Sequence, residues 1–112
     1  MNNAIERELL ETGVLVLRLN RPEVLNAMNR DLIVGLLNTI NETIGGEIVR
    51  SIVLPGNGRG LCAGADLVDG GWPNEDNLSA GQSAGKNMET AFNPLVKAIT
   101  QSGKPIVTAI SA

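Results

Sequence analysis

Residues 56–67 read GNGRGLCAGADL and stand directly behind SIVLP, residues 51–55, so an apolar run empties into a loop of glycines and small side chains. With Gly56, Gly58, Gly60 and Gly64 lacking a Cβ, such a loop lets a ligand reach the main chain and can present bare backbone N–H groups. Two phosphate-binding patterns fail on it. GxGxxG counted from Gly56 requires glycine where Leu61 stands, and no Gly-Lys-Ser/Thr follows. On pattern alone the segment is a turn that reverses the chain.

Upstream, residues 5–10 and 14–19 are two β-capable runs separated by Glu11, Thr12 and Gly13, which predicts a hairpin over residues 5–19. The second run, VLVLRL, is almost continuously apolar, as in a strand covered on both faces. Asn20, Arg21 and Pro22 end it. Over residues 29–44 the period changes: Leu32, Leu36, Ile40 and Ile44 recur every four residues with Ile33 and Leu37 beside them, the stripe of an amphipathic helix. Asn26 or Asn29 fits its N-cap, and Gly45 and Gly46 fit a left-handed C-terminus. Residues 48–54 read as the next strand. Strand, helix and strand in this order predict a right-handed βαβ crossover and an α/β fold.

Downstream, residues 69–85, DGGWPNEDNLSAGQSAG, are polar and glycine-rich and read as a flap. Helical spacing resumes over residues 88–100 through Met88, Phe92, Leu95, Val96 and Ile99, with Pro94 marking a kink or a restart. Gly103 and Pro105 stop it, and residues 106–110 form a last apolar strand. A buried strand needs a following element to cover it, so the expectation is the front part of a longer protein, or a partner that supplies the rest.

Composition narrows the chemistry. The 112 residues suit one domain, and 43% hydrophobic content is that of a globular chain. With 9 basic against 12 acidic residues and no basic run or aromatic platform, nucleic acid is not an expected partner. The sequence has no histidine and a single cysteine, Cys62, which excludes Ser/His and Cys/His nucleophiles, an internal disulfide and His-based metal sites within it. The N-terminal residues are polar, without an apolar stretch of signal or membrane length, so no membrane partner and a cytoplasmic location are expected.

Three blocks taken together, LNRPEVLNAMN at residues 19–29, GNGRGLCAGADL behind SIVLP, and KPIVTAISA at residues 104–112, resemble the enoyl-CoA hydratase/isomerase or crotonase family, in family order. The resemblance spans nearly the whole chain. It implies an N-terminal, truncated part of the ClpP/crotonase-like ββα spiral fold. It also implies an acyl-CoA thioester as partner, with coenzyme A carried as part of the substrate and no metal or redox cofactor. The backbone N–H of Ala63 would be one of two oxyanion donors, and the backbone of Ala63, Gly64, Ala65 and Asp66, with Leu25 and Ala27, would contact the CoA ligand. The implied reaction is hydration of a 2-enoyl-CoA in fatty acid metabolism, with isomerisation as the alternative within the family. A non-catalytic acyl-CoA-binding or truncated module is the alternative outside it. A homo-oligomer, trimer or hexamer, is implied for the complete protein.

The side chains near these blocks keep simpler readings. Asp66 suits the N-cap of a short turn begun by Leu67 and Val68 better than a catalytic role. Arg21 and Arg59 suit either CoA phosphates or a solvated surface. Cys62, with no histidine to lower its pKa, reads as a small buried filler. Trp72 lies in the expected flap, over an acyl chain or on the surface. Leu61 stands where many family members carry phenylalanine. The second oxyanion donor and the hydratase glutamates would fall beyond Ala112.

Overall fold

The hairpin opens the fold, with β1 (Ile5–Leu9) antiparallel to β2 (Val14–Leu19) in a register that pairs Ile5 with Leu19 and Leu9 with Leu15. The structure, a computed structural model, describes residues 4–43, 45–66 and 79–110. Helix α1 (Arg30–Thr43) carries the chain to β3 (Ser51–Pro55), which lies parallel to β2. After α3 (Asn93–Thr100), β4 (Ile106–Ala109) adds in parallel to β3 and completes a sheet of order β1-β2-β3-β4.

Alternation along the strands selects the core. Leu15, Leu17 and Leu19 of β2 and Ile52 and Leu54 of β3 join Leu32, Ile33, Leu36 and Ile40 of α1 and Leu95 of α3 in one buried cluster. Six of these side chains, Leu17, Leu32, Ile33, Leu36, Ile40 and Ile52, are fully buried, each stabilising the fold by about 1.5–3 kcal/mol. On the other face of the sheet Val16, Val53 and Val107 are in register. Val107 at 56% and Ile110 at 73% remain open to solvent at the β4 edge.

Helix α1 starts as a capped helix and ends differently from the glycine stop that its sequence suggests. The Asn29 side chain accepts the Leu32 N–H at 2.9 Å, so Asn29 and not Asn26 is the N-cap. At the other end neither Gly45 nor Gly46 is left-handed. Instead the Lys104 ammonium donates to the carbonyls of Thr43 at 2.8 Å and Gly46 at 2.6 Å, placing a cation on the negative end of the helix. Lys104→Met is expected to cost about 1–2 kcal/mol, because charge-assisted bonds to orphan carbonyls are lost. An unchanged midpoint in urea denaturation would show that water replaces the ammonium without penalty.

The third strand begins later than the reading of 48–54, at Ser51, and Ile48 is 74% exposed. Its partner β2 begins only at Val14, after the Gly13 turn, so residues 48–50 have no ladder to join. The Gly13 carbonyl accepts the Arg50 N–H at 2.7 Å and closes that end. The last strand likewise stops at Ala109 rather than at residue 110.

The expected flap over 69–85 needs a larger correction. Residues 67–78, including Trp72, lie outside the described residues, but helix α2 (Ala80–Asn87) occupies the remainder. Its start is a capping box: Ser79 Oγ accepts the Gln82 N–H at 3.1 Å and Gln82 Oε1 accepts the Ser79 N–H at 2.8 Å. The helix buries no residue. It continues through a π-helical turn, Met88–Phe92, into α3, so propagation along one rod outweighs the two glycines. The π turn accommodates Pro94: the Asn93 N–H reaches back to the Met88 carbonyl, and proline occupies the first turn of α3, where it needs no donor. Ala91 and Leu95 face the core, whereas Met88 and Val96, placed on the apolar stripe by their spacing, are 46% and 57% exposed. No described helix is long and apolar enough to cross a membrane.

Candidate functional site

Two loops leave the same end of the sheet. Residues 20–29 follow β2 and residues 56–66 follow β3, so both begin at the C-terminal ends of neighbouring parallel strands, where open α/β sheets gather their ligands. The ladder runs one step further in a Leu19–Gly56 bridge, with the Asn57 N–H donating to the Leu19 carbonyl at 2.9 Å. The loops then separate and rejoin at a Met28–Ala65 bridge. There the Met28 N–H donates to the Gly64 carbonyl at 2.7 Å and the Asp66 N–H to the Met28 carbonyl at 2.8 Å. The result is a frame closed at both ends.

Asn26 fills that frame. A single 3-10 turn, Pro22–Val24, leads into Leu25 and Asn26 at φ 54° and 56°, the left-handed region that asparagine tolerates better than most residues. Asn26 is fully buried. Its Oδ1 accepts the Arg21 N–H at 2.7 Å, and its Nδ2 donates to the carbonyls of Asn57 and Gly60, each at 2.9 Å. One side chain therefore stitches the two loops together. Gly56 is required for space: a Cβ there would lie 2.7 Å from the Gly60 oxygen and 2.8 Å from Asn26 Nδ2.

Arg21 and Asp66 lock the far end. Arg21 Nη2 lies 3.0 Å from Asp66 Oδ2, with the two side chains only 13% and 8% exposed, and Arg21 Nη1 donates to the Ala27 carbonyl. Arg21 thus turns inward rather than toward a phosphate or open solvent, because a buried carboxylate waits there. Asp66 spends at least one oxygen on this pair, and a turn at residues 67–68 for it to cap lies outside the described residues. Arg59 is exposed.

Between these anchors runs a short exposed span. Gly60 is held by Asn26 and Gly64 by Met28, while Leu61 packs against the core, so residues 62 and 63 are carried between fixed points. Ala63 is exposed, and its N–H donates to no acceptor among the described residues. Gly64 follows at φ 111°, a conformation that only glycine adopts without strain, with open space around it. Leu25, 38% exposed, lies over Gly60, whose Cβ position is 3.9 Å from Leu25 Cδ2. Cys62 is exposed, not buried, because the chain between the anchors bows outward; its Sγ accepts the Gly64 N–H at 3.4 Å. Ala27 is half-buried, with its carbonyl held by Arg21. The loops bring together Leu25, Ala27, Ala63, Gly64, Ala65 and Asp66, and of these Leu25, Ala63, Gly64 and Ala65 are exposed.

The sequence model of the enoyl-CoA hydratase/isomerase family matches residues 10–112. The chain belongs to that family. It is 35% identical over 102 residues to the 1,2-epoxyphenylacetyl-CoA isomerase of Escherichia coli K12, covering 91% of this chain and 38% of the relative. Among solved structures, the enoyl-CoA hydratase/isomerase of Pseudoalteromonas atlantica T6c superposes with a TM-score of 0.73 at 31% identity, over 96% of this chain and 38% of that one. The enoyl-CoA hydratase of Mycobacterium smegmatis, at 24% identity, shares the fold with a TM-score of 0.79 over 96% of this chain and 39% of its own. The fold of this hydratase/isomerase family chain is therefore the crotonase α/β fold, present over well under half of its usual length.

Asn26 is the residue that sequence reasoning misplaced. Its spacing to the helix start suits a cap, yet its partners Asn57 and Gly60 lie 31 and 34 positions away. The available signal was its place between Leu25 and Ala27 in a loop without helical or strand period, where a buried asparagine has to find partners. Among the described residues no group of three or more His, Cys, Asp or Glu side chains converges as a metal ligand set.

Proposed function

We propose that this chain carries one half of an oxyanion hole for an acyl-CoA thioester, with the backbone N–H of Ala63 as donor. The observation that carries the reading is that this amide is uncommitted and exposed on a two-residue span between anchored points. When water or a base attacks an α,β-unsaturated thioester, negative charge collects on the carbonyl oxygen. Donors fixed in advance stabilise that enolate-like oxygen without reorganising at the moment of reaction. The small side chain of Ala63 and the open Gly64 leave the approach clear, and in this reading the CoA moiety would run along the backbone of Ala65 and Asp66 beside Leu25 and Ala27.

The reaction proposed for the complete polypeptide is reversible hydration of a 2-enoyl-CoA in the cytoplasm, with no metal and with coenzyme A as part of the substrate. Assembly as a trimer or a pair of trimers goes with it. Isomerisation is the second reading, favoured by the name of the Escherichia coli relative. Neither loop offers a free buried acid or base: its carboxylates are Glu23, exposed, and Asp66, paired with Arg21. These 112 residues alone are therefore expected to bind acyl-CoA weakly and to turn it over poorly, since general acid–base catalysis contributes about 10²–10⁴-fold. The test is crotonyl-CoA hydration and 3-enoyl-CoA isomerisation, assayed on this chain and on the full-length polypeptide that carries it. Hydration by the long form alone agrees with the reading. Isomerisation without hydration selects the second one, and no activity of the long form on any enoyl-CoA overturns both.

A further inference from the structure

We propose that Asn26 is a positioning residue for the Ala63 amide, acting through the peptide planes of the glycine loop; this rests on the oxyanion reading above. The argument begins with the geometry of a trans peptide, in which the carbonyl of one residue and the N–H of the next point in opposite directions. Asn26 Nδ2 draws the carbonyls of Asn57 and Gly60 inward at 2.9 Å each. The N–H groups of Gly58 and Leu61 are thereby turned away from Asn26. The Met28 N–H does the same at the other end, drawing in the Gly64 carbonyl at 2.7 Å and turning the Ala65 N–H away. The Ala63 N–H lies in the peptide plane of residues 62 and 63, two planes on from the first oriented plane and two before the second, so the two anchors bound the span that carries it.

The role needs an amide side chain at this position. Asn26 is completely buried, where an unpaired polar group would be costly, and it uses both donor and acceptor ends across two loops. A hydrophobic side chain could fill the volume but could not turn two carbonyls toward itself. The cap role is excluded, because Asn29 performs it. Gly56 has no Cβ to push this amide away; a Cβ added there would lie 2.8 Å from Nδ2.

Two substitutions in the full-length polypeptide separate the donors from the backbone. Asn26→Asp keeps shape, left-handed conformation and the acceptor for the Arg21 N–H, but sets an oxygen against the Asn57 and Gly60 carbonyls. Asn26→Gly keeps the backbone conformation and removes the side chain, providing a folded test if the buried carboxylate prevents folding. In either folded variant kcat for enoyl-CoA is expected to fall about 10²-fold, the usual cost of a displacement of about 1 Å at the reacting group, while KM changes little. The Ala63 amide resonance should shift in the same variants. Lower thermal stability with kcat per folded molecule and the Ala63 resonance both unchanged would make Asn26 merely structural and overturn the proposal. Ala63→Pro is assayed in parallel. If it leaves kcat intact, the oxyanion reading fails and this proposal with it; if it lowers kcat while both Asn26 variants do not, only the positioning role is overturned.

Discussion

Ala63→Pro in the full-length polypeptide is expected to lower the proposed turnover of enoyl-CoA by about 10²–10³-fold in kcat, the scale for deleting one oxyanion donor. Proline has no N–H, so the substitution removes the group that the loop leaves uncommitted at residue 63. Ala63→Gly is the control. It keeps the donor, and its effect is limited to about two- to fivefold by the backbone freedom that glycine adds, about 0.5–1 kcal/mol. The wide gap between these outcomes is the signature of a main-chain donor, since a side-chain role would make the glycine variant the more harmful one. Equal losses in both variants would remove the amide from the mechanism. A thermal melt of each variant separates chemistry from folding, because the proline also restricts Cys62 before it.

Asp66→Ala is expected to destabilise the fold by about 3–5 kcal/mol, the cost of leaving a buried charge without its partner. The Arg21 side chain is 13% exposed and faces the Asp66 carboxylate at 3.0 Å, so it can neither reach water freely nor find another anion among the described residues. Replacing both residues, as in Arg21→Met with Asp66→Leu, should recover much of that loss, since an apolar pair of similar volume carries no desolvation cost. Chemical denaturation of the three proteins measures this directly. A double variant as unstable as Asp66→Ala would show that Arg21 matters chiefly through its bond to the Ala27 carbonyl.

Local patterns were legible wherever partners lie within a turn or along one strand. The stripe of Leu32, Ile33, Leu36 and Ile40 announces α1, because residues three and four apart share a helix face. The Gly13 turn between two β-capable runs announces the hairpin. Element limits were less legible: the strand at residues 48–54 shortens to Ser51–Pro55 because a strand extends only as far as its neighbour. Residues 79–85 look like loop by composition. The reciprocal Ser79 and Gln82 bonds and the packed helix beyond them decide otherwise.

The family and its α/β architecture, with the glycine loop behind a parallel strand, were determined by the sequence itself, through three ordered blocks and the periodicities between them. Only the tertiary structure decided what the polar residues of those blocks do. Arg21 turned from the surface to Asp66, Asn26 from a helix cap to the link between two loops, and Cys62 from the interior to the exterior. The physical reason is range. Helix and strand periods record neighbours along the chain, whereas burying a polar group demands partners that can lie more than thirty residues away, and those exist only once β2 and β3 stand side by side.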